Sequence, residues 1–184
     1  MTRLIAPLLA LALLPATAHA DEITDALDAA TAAYKNGEIQ YALEELDFAR
    51  NKMLTLKTDA LTAYLPEAPA GWTRTVNTEM NAGMAMMGGG VGAEARYNSD
   101  DAEFTITMMA DNPMVASMGA MLANAGMMGL KLERIGRQKF MVQEGEYTGL
   151  VDNRVLIQAR GDQPDLILDT LKTIDFTALG KFGN

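Results

Sequence analysis

The chain has 184 residues, 49% of them apolar, which is enough for one hydrophobic core. It carries a formal net charge of −9, a single histidine and no cysteine. This composition excludes disulfides and cysteine-based zinc sites, and the acidic charge argues against nucleic acid as a partner.

The first twenty residues, MTRLIAPLLALALLPATAHA, have the pattern of a secretory signal peptide. Arg3 precedes an apolar run of eleven residues, and an A-H-A motif typical of a cleavage site follows. The run is too short for a membrane span, which needs about 20 apolar residues. We therefore predict a signal peptide over 1–20, cleavage between Ala20 and Asp21, and a free periplasmic protein without a transmembrane span.

Cleavage would remove His19, the only imidazole of the chain. The mature protein would then have neither His nor Cys, which excludes Ser-His and Cys-His nucleophilic catalysis and the usual zinc ligand sets. P-loop, EF-hand and HExxH patterns are absent. We predict that the protein is not an enzyme and has no cofactor. A carboxylate-only hydrolase stays open as an alternative, because acids cluster at Asp100-Asp101 and around Gly145.

Residues 21–64 have a helical pattern. Apolar residues recur at helical spacing in both halves, and Asn36-Gly37 between them is typical of a helix end followed by a tight turn. This pattern predicts an antiparallel helical hairpin. In the second helix the predicted apolar stripe consists of Ile39, Ala42, Leu43, Leu46, Ala49, Met53, Ala60, Leu61 and Tyr64.

Part of this hairpin, residues 33–54, resembles a single tetratricopeptide repeat. Tyr34, Gly37, Ala42 and Ala49 fall at that family's small-residue positions. The resemblance implies a peptide-binding groove. However, the family's closing proline is missing and no second copy follows, although such repeats need neighbours to bury their faces. A plain helical hairpin is therefore the favoured interpretation, with a repeat-type groove as its alternative.

The segment 65–71 is predicted to be a linker, because two prolines and a glycine interrupt the helical pattern. Beyond it, residues 72–184 alternate or are rich in β-forming residues, with turn signals between the segments. They predict five or six antiparallel strands. The strand candidates are 91–98, 103–109, 130–135, 138–144, 146–151 and 154–160.

Two helices are predicted among these strands. Asn112-Pro113 is a good helix start, with Asn as the cap and Pro in the first turn, and the uncharged segment 113–129 follows it. The second helix is predicted over 164–173, and the closing IDFTALGKF is predicted as an irregular tail. The predicted fold class is therefore α+β: a helical hairpin followed by an antiparallel sheet with two packed helices, in a sandwich.

The sheet domain resembles a family of exported bacterial proteins of unassigned activity. The resemblance covers residues 71–179. It rests on Gly71-Trp72, the glycines at 88–90, MADNPM at 109–114, the strand pair ERIGRQKFMV and the closing IDFTAL. The layout is also similar to PsbP-like sandwiches, an analogy that concerns the fold and implies no function.

Methionine is concentrated in one part of the chain, since eleven of fourteen methionines lie in 80–128. Met114, Met118 and Met121 are at i, i+4 and i+7 and share one face of the predicted helix. A second group stands in a Gly/Ala-rich segment that is predicted as a loop: Met84, Met86 and Met87.

These methionines have three interpretations. They can fill gaps in a core that is poor in aromatic residues, or form an adaptable surface for a protein or an apolar ligand. They can also bind Cu(I) or Ag(I), because thioethers select soft ions. Our leading hypothesis is a non-enzymatic periplasmic accessory or binding protein that uses the two methionine groups as its interaction surface. The alternative hypothesis is a Cu(I) or Ag(I) site at Met84, Met86 and Met87. The partner and the oligomeric state stay open.

Overall fold

The computed structural model describes residues 18–86 and 89–183. The predicted signal peptide lies outside the described residues except for its last three. The chain divides into two compact units, Met1–Met53 and Leu54–Asn184. The boundary between them falls inside the second helix, ahead of the linker segment 65–71.

Two antiparallel helices form the predicted helical hairpin, α1 (Ala18–Asn36) and α2 (Ile39–Thr62). Gly37 makes the turn with φ +82°, and the Glu38 N–H donates to the Ala33 carbonyl at 2.9 Å. A left-handed φ of this kind favours glycine, which has no Cβ to clash. An ion pair of 2.6 Å between Lys52 and Glu22 joins the middle of α2 to the start of α1.

The second unit contains a seven-stranded antiparallel sheet in the order β1-β2-β3-β7-β6-β5-β4. The predicted α+β class is confirmed, but the sheet has seven strands instead of the five or six expected. The additional strand is β1, an edge strand of mostly exposed residues. The strands are β1 (Thr73–Asn77), β2 (Val91–Asn98), β3 (Glu103–Ala110), β4 (Lys131–Ile135), β5 (Gln138–Gln143), β6 (Glu146–Val151) and β7 (Val155–Gly161).

Among the described residues, four helices accompany the sheet, where two were expected. The expected ones are α4 (Pro113–Asn124) and α5 (Pro164–Leu171), and α4 ends before residue 129. A further helix, α3 (Met80–Met86), replaces the predicted loop, and α6 (Phe176–Leu179) lies within the predicted irregular tail. Asp175 caps α6 by accepting the N–H groups of Thr177 and Ala178, which explains this short helix.

The core of the second unit lies on one face of the sheet, which we call the core face. Alternate residues of β3 and β7, such as Phe104, Ile106 and Ile157, point to it and are fully buried. They pack with apolar residues of α5 and α6 and with Leu61 and Leu65. The Tyr97 ring stacks on Phe104 with centroids 4.4 Å apart. Burial of these side chains is the main stabilising term of this unit.

In the described part of the chain, no helix combines the length and the apolar character that crossing a bilayer requires.

Candidate functional site

The opposite face of the sheet, which we call the open face, is polar over much of its area. The residues that alternate with the core positions include Thr105, Thr107, Gln158 and Arg160. Two helices pack on this face: α3 over β2, and α4 over β6 and β7. A helix lying on a polar sheet face leaves space that apolar packing does not fill, and such a space is present between α4 and the strands.

Asn112 fixes the start of α4. Its Oδ1 accepts the Met114 N–H at 2.9 Å, and its Nδ2 donates to the Gly89 carbonyl at 2.7 Å, with the side chain buried. Further along, Val115 is buried under the helix, and Gly119 lies close to Leu150, since a Cβ on Gly119 would be 3.1 Å from Leu150 Cδ2. The helix axis is therefore set by a cap at one end and a small residue in the middle.

Asp111, directly before the cap, joins three segments. Its carboxylate accepts Lys57 Nζ at 2.6 Å and Arg154 Nη2 at 3.2 Å, and its backbone has φ +53°. Burial alone would raise the pKa of Asp111, but hydrogen bonds and charge from Lys57 and Arg154 outweigh it and hold the pKa below its ordinary value. The carboxylate therefore stabilises this corner in its charged form.

We expect Asp111→Asn to lower the free energy of unfolding at pH 7 by about 1 kcal/mol, because two partly exposed ion pairs are lost. Asparagine tolerates the left-handed backbone, so strain is not added. The folded pKa is depressed, so this contribution is present above the unfolded pKa of about 4 and disappears as the pH falls through the folded pKa.

Urea unfolding at pH 7 and pH 2.5 checks this pH dependence. The difference between wild type and Asp111→Asn should be smaller at the lower pH. Asp100→Asn, at an exposed turn, is the matched control and should change little at either pH. A difference that is as large at pH 2.5 as at pH 7 would contradict the ionic origin.

A cleft of about 500 Å³ lies between α4 and the open face. Three methionines form one part of its wall: Met118 and Met121 from α4, and Met141 from β5. Polar side chains of the strands and of the β5–β6 turn form the other part. They are Gln143, Glu144, Glu146, Thr148, Gln158 and Arg160. The volume falls within the range of small-molecule sites, about 300–1,000 Å³.

The polar side chains of the cleft differ in whether they have a hydrogen-bond partner within the protein. Glu146 Oε1 accepts Gln158 Nε2 at 3.1 Å and the Thr148 hydroxyl at 3.4 Å, so this carboxylate is engaged in the protein. Within the described residues, the side chains of Arg160 and Glu144 make no hydrogen bond or ion pair. An unpartnered guanidinium beside thioethers can receive the acidic group of an amphipathic molecule.

Glu144 occupies a strained position on the rim of the cleft. Together with Gly145 it forms the two-residue turn between β5 and β6, with φ +51° and +82°. Asn-Gly is the ordinary choice for such a turn, and a glutamate at positive φ is uncommon. Because local strain concentrates at functional positions, this residue adds weight to the cleft as a site.

The structure describes the side chains of four of the six predicted interaction residues. Met118 and Met121 line the cleft and are partly buried, whereas Met114 is exposed on α4. Met84 lies in α3, not in a loop, and is only 7% exposed because it packs with Met80 over Gly92. The side chain of Met86 and the whole of Met87 lie outside the described residues. Of the four described residues, two therefore line the cleft, one is exposed on α4 and one is packed at α3.

The soft-metal alternative placed a Cu(I) or Ag(I) site at three methionines. Of their thioethers, the structure describes only that of Met84. Among the described residues, no group of three or more His, Cys, Asp or Glu side chains could hold a metal ion.

The sequence reasoning missed the strand residues of the cleft, namely Met141, Gln158 and Arg160. A signal for the last two exists, because they sit at alternate positions of a strand whose other residues are apolar. Their approach to α4 depends on the sheet order, which a single sequence does not show.

A second cavity of about 600 Å³ lies between the Pro-rich segment 63–69 and α5. Its polar side chains already have partners: Thr170 and Thr173 donate to helix carbonyls, and Asp169 pairs with Lys172. This larger cavity therefore has fewer groups available for a ligand than the cleft under α4.

Comparison with known proteins gives no assignment: no family model, no curated protein and no solved structure matches the chain. The resemblances described above stay expectations.

Proposed function

We propose that this chain is a non-enzymatic periplasmic binding protein that holds an apolar ligand with an acidic head group in the cleft under α4. The observation that carries the proposal is the composition of the cleft. Three methionines line it together with the exposed Arg160, whose side chain has no partner among the described residues. Methionine side chains are flexible and polarisable, so they adapt to apolar ligands of different shape.

The proposed ligand has an alkyl or ring portion against Met118, Met121 and Met141, and a carboxylate or similar anion at Arg160. Gln143 and Gln158 supply additional polar contacts. The acidic net charge of the protein does not favour anions at long range, so the local guanidinium has to provide the selectivity. The absence of His and Cys after residue 19 agrees with a binding role.

Calorimetric titration with dodecanoate and with dodecanol tests the proposal. We expect dodecanoate to bind with a Kd in the micromolar range and the alcohol to bind about tenfold more weakly, because only the acid pairs with Arg160. Arg160→Gln should remove this preference without affecting the alcohol. The double variant Met118→Gln/Met121→Gln should weaken both ligands.

The matched control is Met127→Gln/Met128→Gln, which changes two exposed methionines that do not line the cleft. It should bind both ligands as the wild type does. Failure of the wild type to bind either ligand would contradict the proposal. Cu(I) titration against a competing chelator distinguishes the soft-metal alternative. Tight Cu(I) binding that Met84→Leu abolishes and the cleft variants retain would place the function at α3 instead.

A further inference from the structure

Three side chains of the open face form a row that starts at the cleft under α4. Strand pairing places Arg96 of β2 beside Thr105 of β3, and Thr105 beside Arg160 of β7. Residues that are paired across antiparallel strands project from the same side of the sheet. We call Arg96, Thr105 and Arg160 the arginine row. Because Arg160 also lines the cleft, the row continues the cleft along the sheet.

The two guanidinium groups of the row can both reach a group bound above Thr105. Neighbouring strands are about 4.8 Å apart, so the Cα atoms of Arg96 and Arg160 lie about 10 Å apart on either side of β3. An arginine side chain is long enough to span more than half of this distance. The row therefore offers two positive groups and one hydroxyl to a single small anion.

The polar groups of the arginine row are available for a ligand. Arg96 and Arg160 are exposed, and the side chains of Thr105 and Arg160 have no hydrogen-bond or ion-pair partner among the described residues. Arg96 has one ion pair, with Glu94 on its own strand, at an N–O distance of 3.7 Å. This distance is too long for a hydrogen bond, so the guanidinium donors of Arg96 stay open to another partner.

Two carboxylates near the arginine row are hydrogen-bonded to a neighbouring row of the sheet. Glu94 Oε2 accepts the Thr107 hydroxyl at 3.4 Å, and Glu146 Oε1 accepts Gln158 Nε2 at 3.1 Å. Thr107 and Gln158 are paired with each other. The polar side chains of this neighbouring row therefore hold both acidic groups, and among the described residues neither carboxylate is hydrogen-bonded to an arginine of the row.

We propose that the arginine row selects a phosphate monoester, so that the ligand of the cleft is an apolar molecule with a phosphate head group. This inference rests on the proposed function, because the apolar portion of the ligand is the one assigned to the methionines of the cleft. A phosphate monoester has three free oxygens and a charge of about −1.5 to −2 at pH 7. Guanidinium groups bind phosphate oxygens through paired hydrogen bonds. A carboxylate has only two oxygens, and Arg160 alone satisfies it.

The pairing of the strands separates the two ends of this ligand. Met141 is paired with Thr148, and Thr148 with Gln158, so Met141 lies on the row next to the arginine row. Met118 and Met121 reach the cleft from α4. The apolar portion of the ligand therefore lies against α4 and this neighbouring row, and the phosphate lies on the arginine row.

The negative charge of the protein opposes a dianion only weakly at this site. The formal net charge is −9, and two further acidic side chains of this end of the sheet, Glu103 and Glu144, are exposed. Salt screens interactions between exposed charges beyond about 8 Å at physiological ionic strength, whereas direct contact with two guanidinium groups is screened much less. We therefore expect the short-range contacts to determine the affinity.

Calorimetric titration with dodecyl phosphate, beside dodecanoate and dodecanol, tests the inference. At pH 7 the wild type should bind dodecyl phosphate about tenfold more tightly than dodecanoate, because only the phosphate contacts Arg96. Arg96→Gln should remove this difference. Arg96→Lys, which keeps the charge without the planar fork, should keep part of it. Inorganic phosphate should bind about 100-fold more weakly than dodecyl phosphate, because it lacks the apolar portion.

The matched control is Arg137→Gln, which replaces an exposed arginine of the turn between β4 and β5 that does not line the cleft. It should keep the wild-type affinities for both acids. Equal binding of the two acids by the wild type, with both tighter than dodecanol, would overturn the phosphate preference and leave the proposed function in place. If neither acid binds, the proposed function fails and this inference fails with it. Inorganic phosphate that binds as tightly as dodecyl phosphate would also refute the inference, because it indicates a site for free phosphate.

Discussion

Replacing Gly149 with alanine is expected to lower the free energy of unfolding by about 2 kcal/mol, within the usual cost of overpacking a core. Gly149 pairs with Phe140 across β5 and β6, and the Phe140 ring lies over it. A Cβ on Gly149 would be 2.5–2.8 Å from three ring carbons. The ring is fully buried and contacts Phe176, so it has little room to move away.

Denaturant unfolding of Gly149→Ala, compared with Gly83→Ala, measures this effect. Gly83 lies in α3 with nothing within 4 Å of a Cβ, so its replacement should stabilise the helix by about 0.5–1 kcal/mol. The two variants thus make the same chemical change with opposite expected signs. A loss of less than about 0.5 kcal/mol for Gly149→Ala, the range of neutral surface changes, would show that the ring is displaced easily.

Asn112→Ala is also expected to cost about 2 kcal/mol, because it removes the N-cap of α4 and leaves the Gly89 carbonyl without its partner. Because this cap sets the start of α4, the variant should also bind dodecanoate more weakly. Unfolding and calorimetry on the same sample measure the two effects together.

Asn112→Ser separates the two hydrogen bonds. Serine can accept the Met114 N–H as a cap, but its single short hydroxyl cannot also hold the Gly89 carbonyl. It should therefore recover roughly half of the stability that alanine loses, in line with a typical capping contribution of about 1 kcal/mol. No difference between serine and alanine would contradict the capping role.

The six strands that were predicted are bounded by turn residues, and the alternation of buried and exposed positions is clearest in β3. In β3, for example, Phe104, Ile106 and Met108 alternate with residues that are partly exposed. The missed strand β1 has one apolar residue, Val76. It is held in the extended conformation by its pairing with β2. A local pattern cannot show this, because the partner strand supplies the hydrogen bonds.

The helix α3 was missed for a different reason. Its sequence, MNAGMAM, has no charge and three small residues, which is typical of a loop. Tertiary contact explains it, since Met80 and Met84 are one turn apart and both pack over Gly92.

Only the residues that α4 contributes to the cleft were predicted from the sequence. The spacing of Met118 and Met121 indicated a shared face, whereas Arg160 reaches the cleft through the sheet order. In the hairpin, the predicted stripe on α2 divides in the structure. Ala42 and Ala49 are buried, and Leu43 and Leu46 are exposed. Hydrophobicity alone does not distinguish the buried positions from the exposed ones.

The strand order also bears on how the chain reaches its native state. Five of the six strand pairings join strands that are neighbours in sequence, and they form two meanders, β1–β3 and β4–β7. The remaining pairing, β3 with β7, joins the two meanders. Each meander can therefore form through short-range contacts, which favours rapid folding. Pairing of Ala110 with Val155 closes the intervening loop, and the entropy of that closure increases only slowly with loop length. The helix α4 lies within this loop, so the cleft is complete only after the two meanders have joined.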